Sequence, residues 1–178
     1  RFWKGIKATT NAVLKKEDPD RPAITMLVVN PGTEKTADCI VKRLGSIIHR
    51  AYRSSENLVT FSPPSDMSAE ESKLKLDEAL DAGFKAGSRV GWVQHLEELQ
   101  GEGAMMLHSY CDNEFANFKD AHFFFTVHVP KPATEEGEVE KFLAAKWNSL
   151  ALDQFSPLWS RIANNVVFVK EEVPAPNC

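Results

Sequence analysis

Ile24-Thr25-Met26-Leu27-Val28-Val29-Asn30-Pro31-Gly32-Thr33-Glu34-Lys35-Thr36 opens the stretch whose reading decides the fold, and it continues to Tyr52. Ile24 to Val29 predicts a buried strand and Asn30-Pro31-Gly32 a tight turn. Ile40, Val41, Leu44, Ile47 and Ile48 form the apolar stripe of a helix packed back on the sheet. Strand, turn and helix in this order begin a P-loop nucleotide-binding domain. The loop itself departs from phosphate-binding chemistry. A working loop carries Gly immediately before Lys-Thr and another Gly five residues earlier, because backbone amides must face the phosphates with no side chain between. Glu34 and Val29 stand at those places. A Glu34 carboxylate about 4 Å from a phosphate charge is repelled by roughly 4 kcal/mol at an effective dielectric near 20. The architecture is kept while the chemistry is lost. The plain alternative is that Lys35-Thr36 is the first turn of an ordinary helix.

Outward from this unit, the chain alternates strand and helix. Phe2, Trp3, Ile6, Val13 and Leu14 predict an opening helix stopped by Asp18-Pro19-Asp20-Arg21-Pro22. Asn57 to Phe61 is a short strand closed by Pro63-Pro64, and Ser68-Ala69-Glu70-Glu71 is a capping box opening a helix through Leu76, Leu80 and Phe84. Gly83 and Gly87 mark the end of that helix. Arg89 to Leu96 reads as a third strand running into Glu97-Glu98, a poor match to the Asp-Glu pair that finishes such a strand in nucleotide hydrolases and so a solvated strand end. Gly101 to Phe118 reads mostly as helix, with strand from Ala104 to Tyr110 as the competitor. Ala121 to Val129 is the strongest strand signal, bounded by Pro130 and Pro132. A helix begins near Thr134-Glu135-Glu136 with acids at its positive end and runs through Val139, Phe142, Leu143 and Trp147. Pro157 to Ile162 is a short helix, and Asn165 to Val169 the last strand. Five strands alternating with helices predict an α/β fold with a mostly parallel five-stranded sheet covered on both sides.

The 178 residues suit one domain, and 43% hydrophobic with 26% charged residues excludes a disordered chain. A net charge of −4 gives no broad drive toward nucleic acid or anionic lipid. Lys42-Arg43 with Arg50 is accounted for as a solvated helix face. No apolar run approaches the ~18 residues of a membrane span. Starting at Arg1 without Met, the sequence reads as a fragment, residues 1–178, whose anchor or targeting segment lies outside it. Cys39, Cys111 and Cys178 lack zinc spacing. Cys39 reads as a small core residue, and an odd count permits one disulfide plus one free thiol.

Candidate chemistry is sparse. His49, His95, His108, His122 and His128 have no metal-site spacing, and no Gly-x-Ser-x-Gly elbow is present. Ser109-Tyr110-Cys111-Asp112 holds a thiol with nothing nearby in sequence to lower its pKa. Leu158-Trp159-Ser160-Arg161-Ile162 followed by Val166-Val167-Phe168 is more specific. It resembles the end of the large subdomain of Clp-type AAA+ ATPases, where a short helix presents Arg at the protomer boundary. A planar, permanently charged guanidinium suits that task. Alone, Arg161 reads more often as a surface salt-bridge residue, and a loop that does not hold its own nucleotide shifts the balance toward the finger.

Phe2-Trp3-Lys4-Gly5, Tyr110-Cys111-Asp112-Asn113-Glu114 with Ala116 and Phe118-Lys119-Asp120, and Leu158-Trp159-Ser160-Arg161-Ile162 together resemble the luminal domain of the torsin-activating cofactors. These are the lamina-associated polypeptide of the inner nuclear membrane and its endoplasmic-reticulum relative. The similarity runs from Phe2 to Cys178. It implies a single-pass membrane protein whose degenerate AAA+-like luminal domain binds no nucleotide, lacks the small helical lid and faces the perinuclear space or endoplasmic-reticulum lumen. By the resemblance Arg161 is the finger given in trans to ATP-bound torsin, with ATP and magnesium held by that partner. Cys111 and Cys178 match the family's disulfide. Asn113, Glu114, Glu136 and Trp159 fall at or near partner contacts, Asn113 standing where His is usual and Glu136 in a shortened acidic loop.

The expected function is therefore activation of torsin ATPases by a chain that is not itself an enzyme. An autonomous NTPase with an atypical loop, or a non-catalytic nuclear-envelope adaptor using the same surface, are the alternatives.

Overall fold

The computed structural model describes residues 2–15, 19–54, 58–64 and 66–171, with the backbone alone for Phe2, Trp3, Gly5, Thr9 and Ala12. Helix α1 (Phe2–Leu14) leads to β1 (Ala23–Val29), α2 (Glu34–Tyr52), β2 (Val59–Phe61), α3 (Ala69–Lys85) and β3 (Val90–Val93). A 3-10 turn (Leu96–Glu98) follows, then two short helices, α4 (Gly101–Ala104) and α5 (Leu107–Tyr110). The chain ends with β4 (His122–His128), α6 (Glu136–Lys146), α7 (Leu152–Ile162) and β5 (Val166–Phe168). The five strands lie in the order β2-β3-β4-β1-β5, and every pairing is parallel, beyond the mostly parallel sheet expected.

Parallel pairing follows from the helical crossovers, and burial on both faces from the helices they lay there. All seven residues of β1 are buried, and successive side chains divide between two cores. Ile24, Met26 and Val28 join Phe123, Phe125 and the apolar sides of α3, α6 and α7. Leu27 and Val29 join Phe124, Trp92 and the α2 stripe of Ala37, Val41 and Ile48. The capping box forms at α3, where the Glu71 amide donates to Ser68 Oγ and the Ser68 amide to the Glu71 carboxylate.

Three element readings are corrected. The helix expected over most of Gly101 to Phe118 forms only as two short pieces, Gly101–Ala104 and Leu107–Tyr110, against the strand competitor, and from Cys111 the chain turns irregularly to Phe118. The last helix starts at Leu152, five residues before Pro157, because Gln154 Oε1 accepts from the Ala151 amide and caps an earlier start. Gly83 lies inside α3 rather than ending it; a Cβ there would stand 2.1 Å from Val59 Cγ2, so the glycine lets α3 approach β2. Asn57, read as the beginning of the second strand, lies outside the described residues.

Candidate functional site

In a parallel sheet all strands point one way, so the molecule has two functional ends. Open α/β sheets bind ligands beyond the carboxyl ends of their strands. Here that end is occupied by the chain's own groups. The link from β1 to α2 is Asn30-Pro31-Gly32-Thr33, with Gly32 at φ +87°. Its Gly32 amide donates to Glu34 Oε1 at 3.2 Å, and Thr33 Oγ1 donates to the Asn30 carbonyl. Asn30 grips Ala133 from both sides, accepting from its amide at 2.8 Å and donating to its carbonyl at 3.2 Å. The Glu34 carboxyl is held below its usual range by its own amide and that of Gly32. A carboxylate sits at the positive end of α2, where a nucleotide hydrolase holds phosphate.

Glu97 is corrected from a solvated strand end to a buried residue, 5% exposed. Its carboxylate accepts from the His128 amide at 3.0 Å and meets His95 Nδ1 at 3.2 Å, and burial pushes its pKa up. His95 is left-handed at φ +48° and stacks on His128 with ring centroids 3.9 Å apart. Burial, then the neighbouring His95, press His128 down to about 4. Among the described residues no group of three or more His, Cys, Asp or Glu is placed to hold a metal ion.

The amino end carries the other site. Arg161, in the last turn of α7, precedes β5 by only a few residues. Its Nε donates to Asp112 Oδ2 at 3.0 Å and Nη1 to the Pro157 carbonyl at 3.0 Å, while Nη2 stands 3.0 Å from the same Oδ2 in an ion pair. The Arg161 side chain is 24% exposed. The family resemblance implies a cation presented to a partner; the structure anchors it to its own fold along one edge, in the salt bridge that the residue alone would suggest. A guanidinium has five N–H donors. Two of them have hydrogen-bond acceptors among the described residues, one on Nε and one on Nη1.

Asp112 Oδ1 accepts from the amides of Glu114 and Phe115, both at 2.8 Å. Those two amides, then Arg161, pull the Asp112 carboxyl down to about 2. Asn113 and Glu114 are exposed, and they line a hollow of about 620 Å³ with Asp20, Arg21, Ile24 and Asn164. Arg161, Asn113 and Glu114 are thus brought to one end.

Three other expected site residues are placed otherwise than expected. Trp159 is 8% exposed and stacks on Phe155, so it braces α7 in the core rather than offering a contact face. Glu136 is exposed on the first turn of α6, reached from the carboxyl end of β4 and so across the sheet from Arg161. Cys111 is a free, fully buried thiol, and burial pushes its pKa well up. The Cys111–Cys178 disulfide is therefore corrected: Cys111 packs into the core, and Cys39 is the disulfide-bonded residue. Cys178 lies outside the described residues. Asp112 and Phe115 were missed as site residues. An aspartate whose oxygen can accept from amides two and three residues on is a turn signal that would have marked Asp112.

Residues 1–175 match the family described as lamina-associated polypeptide 1, AAA+ activator domain. Torsin-1A-interacting protein 1 of Homo sapiens is 25% identical over 191 residues, covering 97% of this chain and 33% of its own length. Its Mus musculus counterpart is also 25% identical, over 97% of this chain and 32% of its own. The chain thus spans about a third of the length of these relatives. Among solved structures, a variant of Thermotoga maritima RuvB superposes with a TM-score of 0.50 at 16% identity, over 98% of this chain and 46% of that one, a likeness of fold alone.

Proposed function

The chain belongs to the family of the lamina-associated polypeptide 1 AAA+ activator domain, and from that premise we propose that it activates a torsin ATPase by presenting Arg161 to nucleotide held in that partner. The observation that carries this reading is the placement of Arg161. It lies at the amino end of the sheet, whereas the Asn30–Thr33 loop lies at the carboxyl end of β1. Seven strand residues at about 3.3 Å each separate the two ends by about 20 Å. No arginine side chain spans that distance, so its cation serves another molecule's phosphates or none. Such fingers are worth about 10³ to 10⁵ in turnover.

ATP and magnesium belong to the partner, and this chain supplies no nucleotide-binding group and no chemistry of its own. The Glu34 carboxylate on the Gly32 amide and the locked Asn30 side chain support that assignment. Asn113 and Glu114 are the contacts nearest to Arg161 at that end. The domain works in the perinuclear space or endoplasmic-reticulum lumen on a membrane-anchored protein. Among the described residues no helix is long and apolar enough to cross a membrane. Preference for the ATP-bound partner implies release after hydrolysis, by linkage.

The test is torsin ATP turnover titrated with this chain. Arg161→Ala is expected to bind and to lose stimulation, and full stimulation by that variant defeats the mechanism. The Arg161–Asp112 bridge favours one second reading, an adaptor whose arginine never leaves its own fold. Binding without any rate enhancement by the unmodified chain selects it.

A further inference from the structure

Phe115 is 80% exposed, the largest exposure among the big apolar side chains of the described residues. An exposed apolar residue is unremarkable by itself. Phe115 differs because its backbone is fixed by the carboxylate that fixes Arg161. Asp112 Oδ1 takes the amides of Glu114 and Phe115, while Oδ2 takes Nε of Arg161 and pairs with the charge of its Nη2. The segment is also held at both ends: Cys111 is fully buried, Ala116 is 7% exposed, and Phe118 packs its ring 4.9 Å from that of Phe84. The ring at 115 is turned outward by a fixed backbone, with no loose loop behind it.

We infer that Asp112 joins the Arg161 guanidinium and the 113–115 turn into one rigid docking surface, on which Phe115 is the apolar anchor for the ATP-bound partner protomer. The inference rests on the reading of Arg161 proposed above and adds two residues to it. The partner it fits presents an apolar recess for the phenyl ring, rimmed by a cation for Glu114, on the surface where its nucleotide is exposed. Continuity with Arg161 through a shared carboxylate selects this occupant over a second copy of the chain. An aromatic ring on a fixed backbone gives up little entropy on docking, and such anchors dominate interface energetics. Asp112 is a positioning residue that acts through Arg161 and the turn.

The experiment titrates torsin ATP turnover with each variant and reads two quantities, the maximal rate and the concentration giving half of it. Phe115→Ala should raise the half-maximal concentration about tenfold or more and leave the maximum unchanged. Asp112→Asn keeps an oxygen for the turn amides and sets an amide donor against Arg161. It should lower the maximum about tenfold or more with little change in half-maximal concentration. Asp112→Ala removes both functions and should move both quantities. A merely structural role does not produce this split, and matched thermal melts of the first two variants exclude misfolding. An unchanged half-maximal concentration for Phe115→Ala overturns the anchor, as does loss of self-association in sedimentation in place of weakened partner binding. A raised maximum for Asp112→Asn shows that the carboxylate restrains Arg161 and overturns the positioning role. If Arg161→Ala alone keeps the full maximum, the finger reading fails, while the Phe115→Ala concentration still decides the docking surface.

Discussion

At the scale of single residues, Asp112 and the histidines at either end of β4 all lose stability as pH falls, but in different windows. Asp112 is depressed from 3.8 to about 2, chiefly by the Glu114 and Phe115 amides. Its contribution is fully present above the unfolded value and is lost only as pH falls through about 2. His122, 1% exposed, and His128 are both pressed from 6.5 to about 4, first of all by burial. Between those values the unfolded chain binds more protons, so stability falls as pH drops from 6.5 toward 4. For fully buried His122 the loss is roughly 3 kcal/mol across that window. The urea midpoint should decline through this range, and His122→Phe should flatten the decline. A midpoint constant from pH 6.5 to 4 removes the assignment. Arg161 was legible in the sequence because an arginine in a short helix before a last strand has a recognisable context. Its partner, 49 positions earlier, was not, since a bridge across the fold leaves no spacing to read. The cysteines share that difficulty: which thiol is free depends on what packs around it, and Cys111 is enclosed by core residues distant in sequence.

Elements were more legible than sites. β1 and β4 announce themselves as apolar runs bounded by Pro and turn residues, and their burial on both faces is what an all-parallel sheet imposes. Where element readings slipped, a side-chain contact had decided, local at the start of α7 and long-range at Glu97 and Gly83. Pro157 suits a first helical turn, yet Gln154 closes a start five residues earlier, and the ring sits inside α7. Glu97 looks like a solvated strand end because nothing local shows that the amide of His128, 31 positions on, will take its carboxylate. Gly83 gives this scale its prediction. Replacing a helix-interior glycine by alanine ordinarily gains about 1 kcal/mol. A Cβ at 83 meets Val59 Cγ2 at 2.1 Å, closer than side chains tolerate, and β-branched Val59 has little rotameric freedom to withdraw. Overpacking of this kind costs about 1–3 kcal/mol. The expected result is a net loss in Gly83→Ala, read as a lower denaturant midpoint at unchanged slope. A midpoint raised by the propensity gain alone excludes the contact.

For the whole molecule, the division of labour between the two ends is what sequence reading could only approach through family resemblance. Glu34 at a glycine position was visible in the primary structure; the carboxylate's capture of the Gly32 amide, and the Asn30 clamp on Ala133, belong to the folded chain. Placing Arg161 at the opposite end required the strand directions and the crossover through α6 and α7. This geometry distinguishes an activator from an autonomous NTPase by equilibrium means, with no partner present. A nucleotide that binds only the folded state at about 100 times its Kd stabilises by about 2.7 kcal/mol. For a domain of this size, each kcal/mol raises Tm by about 2–4 °C, so a functional nucleotide site would add about 5–11 °C. With its loop amide satisfied by Glu34 and its strand ends filled by Glu97, His95 and His128, this chain should melt at the same temperature with and without saturating ATP and magnesium. Glu34→Gly frees the Gly32 amide, but Asn30 still grips Ala133 and Val29 remains in the sheet, so that variant should show no shift either. A rise of several degrees in the unmodified chain would return the nucleotide to this molecule and leave Arg161 without the role proposed for it.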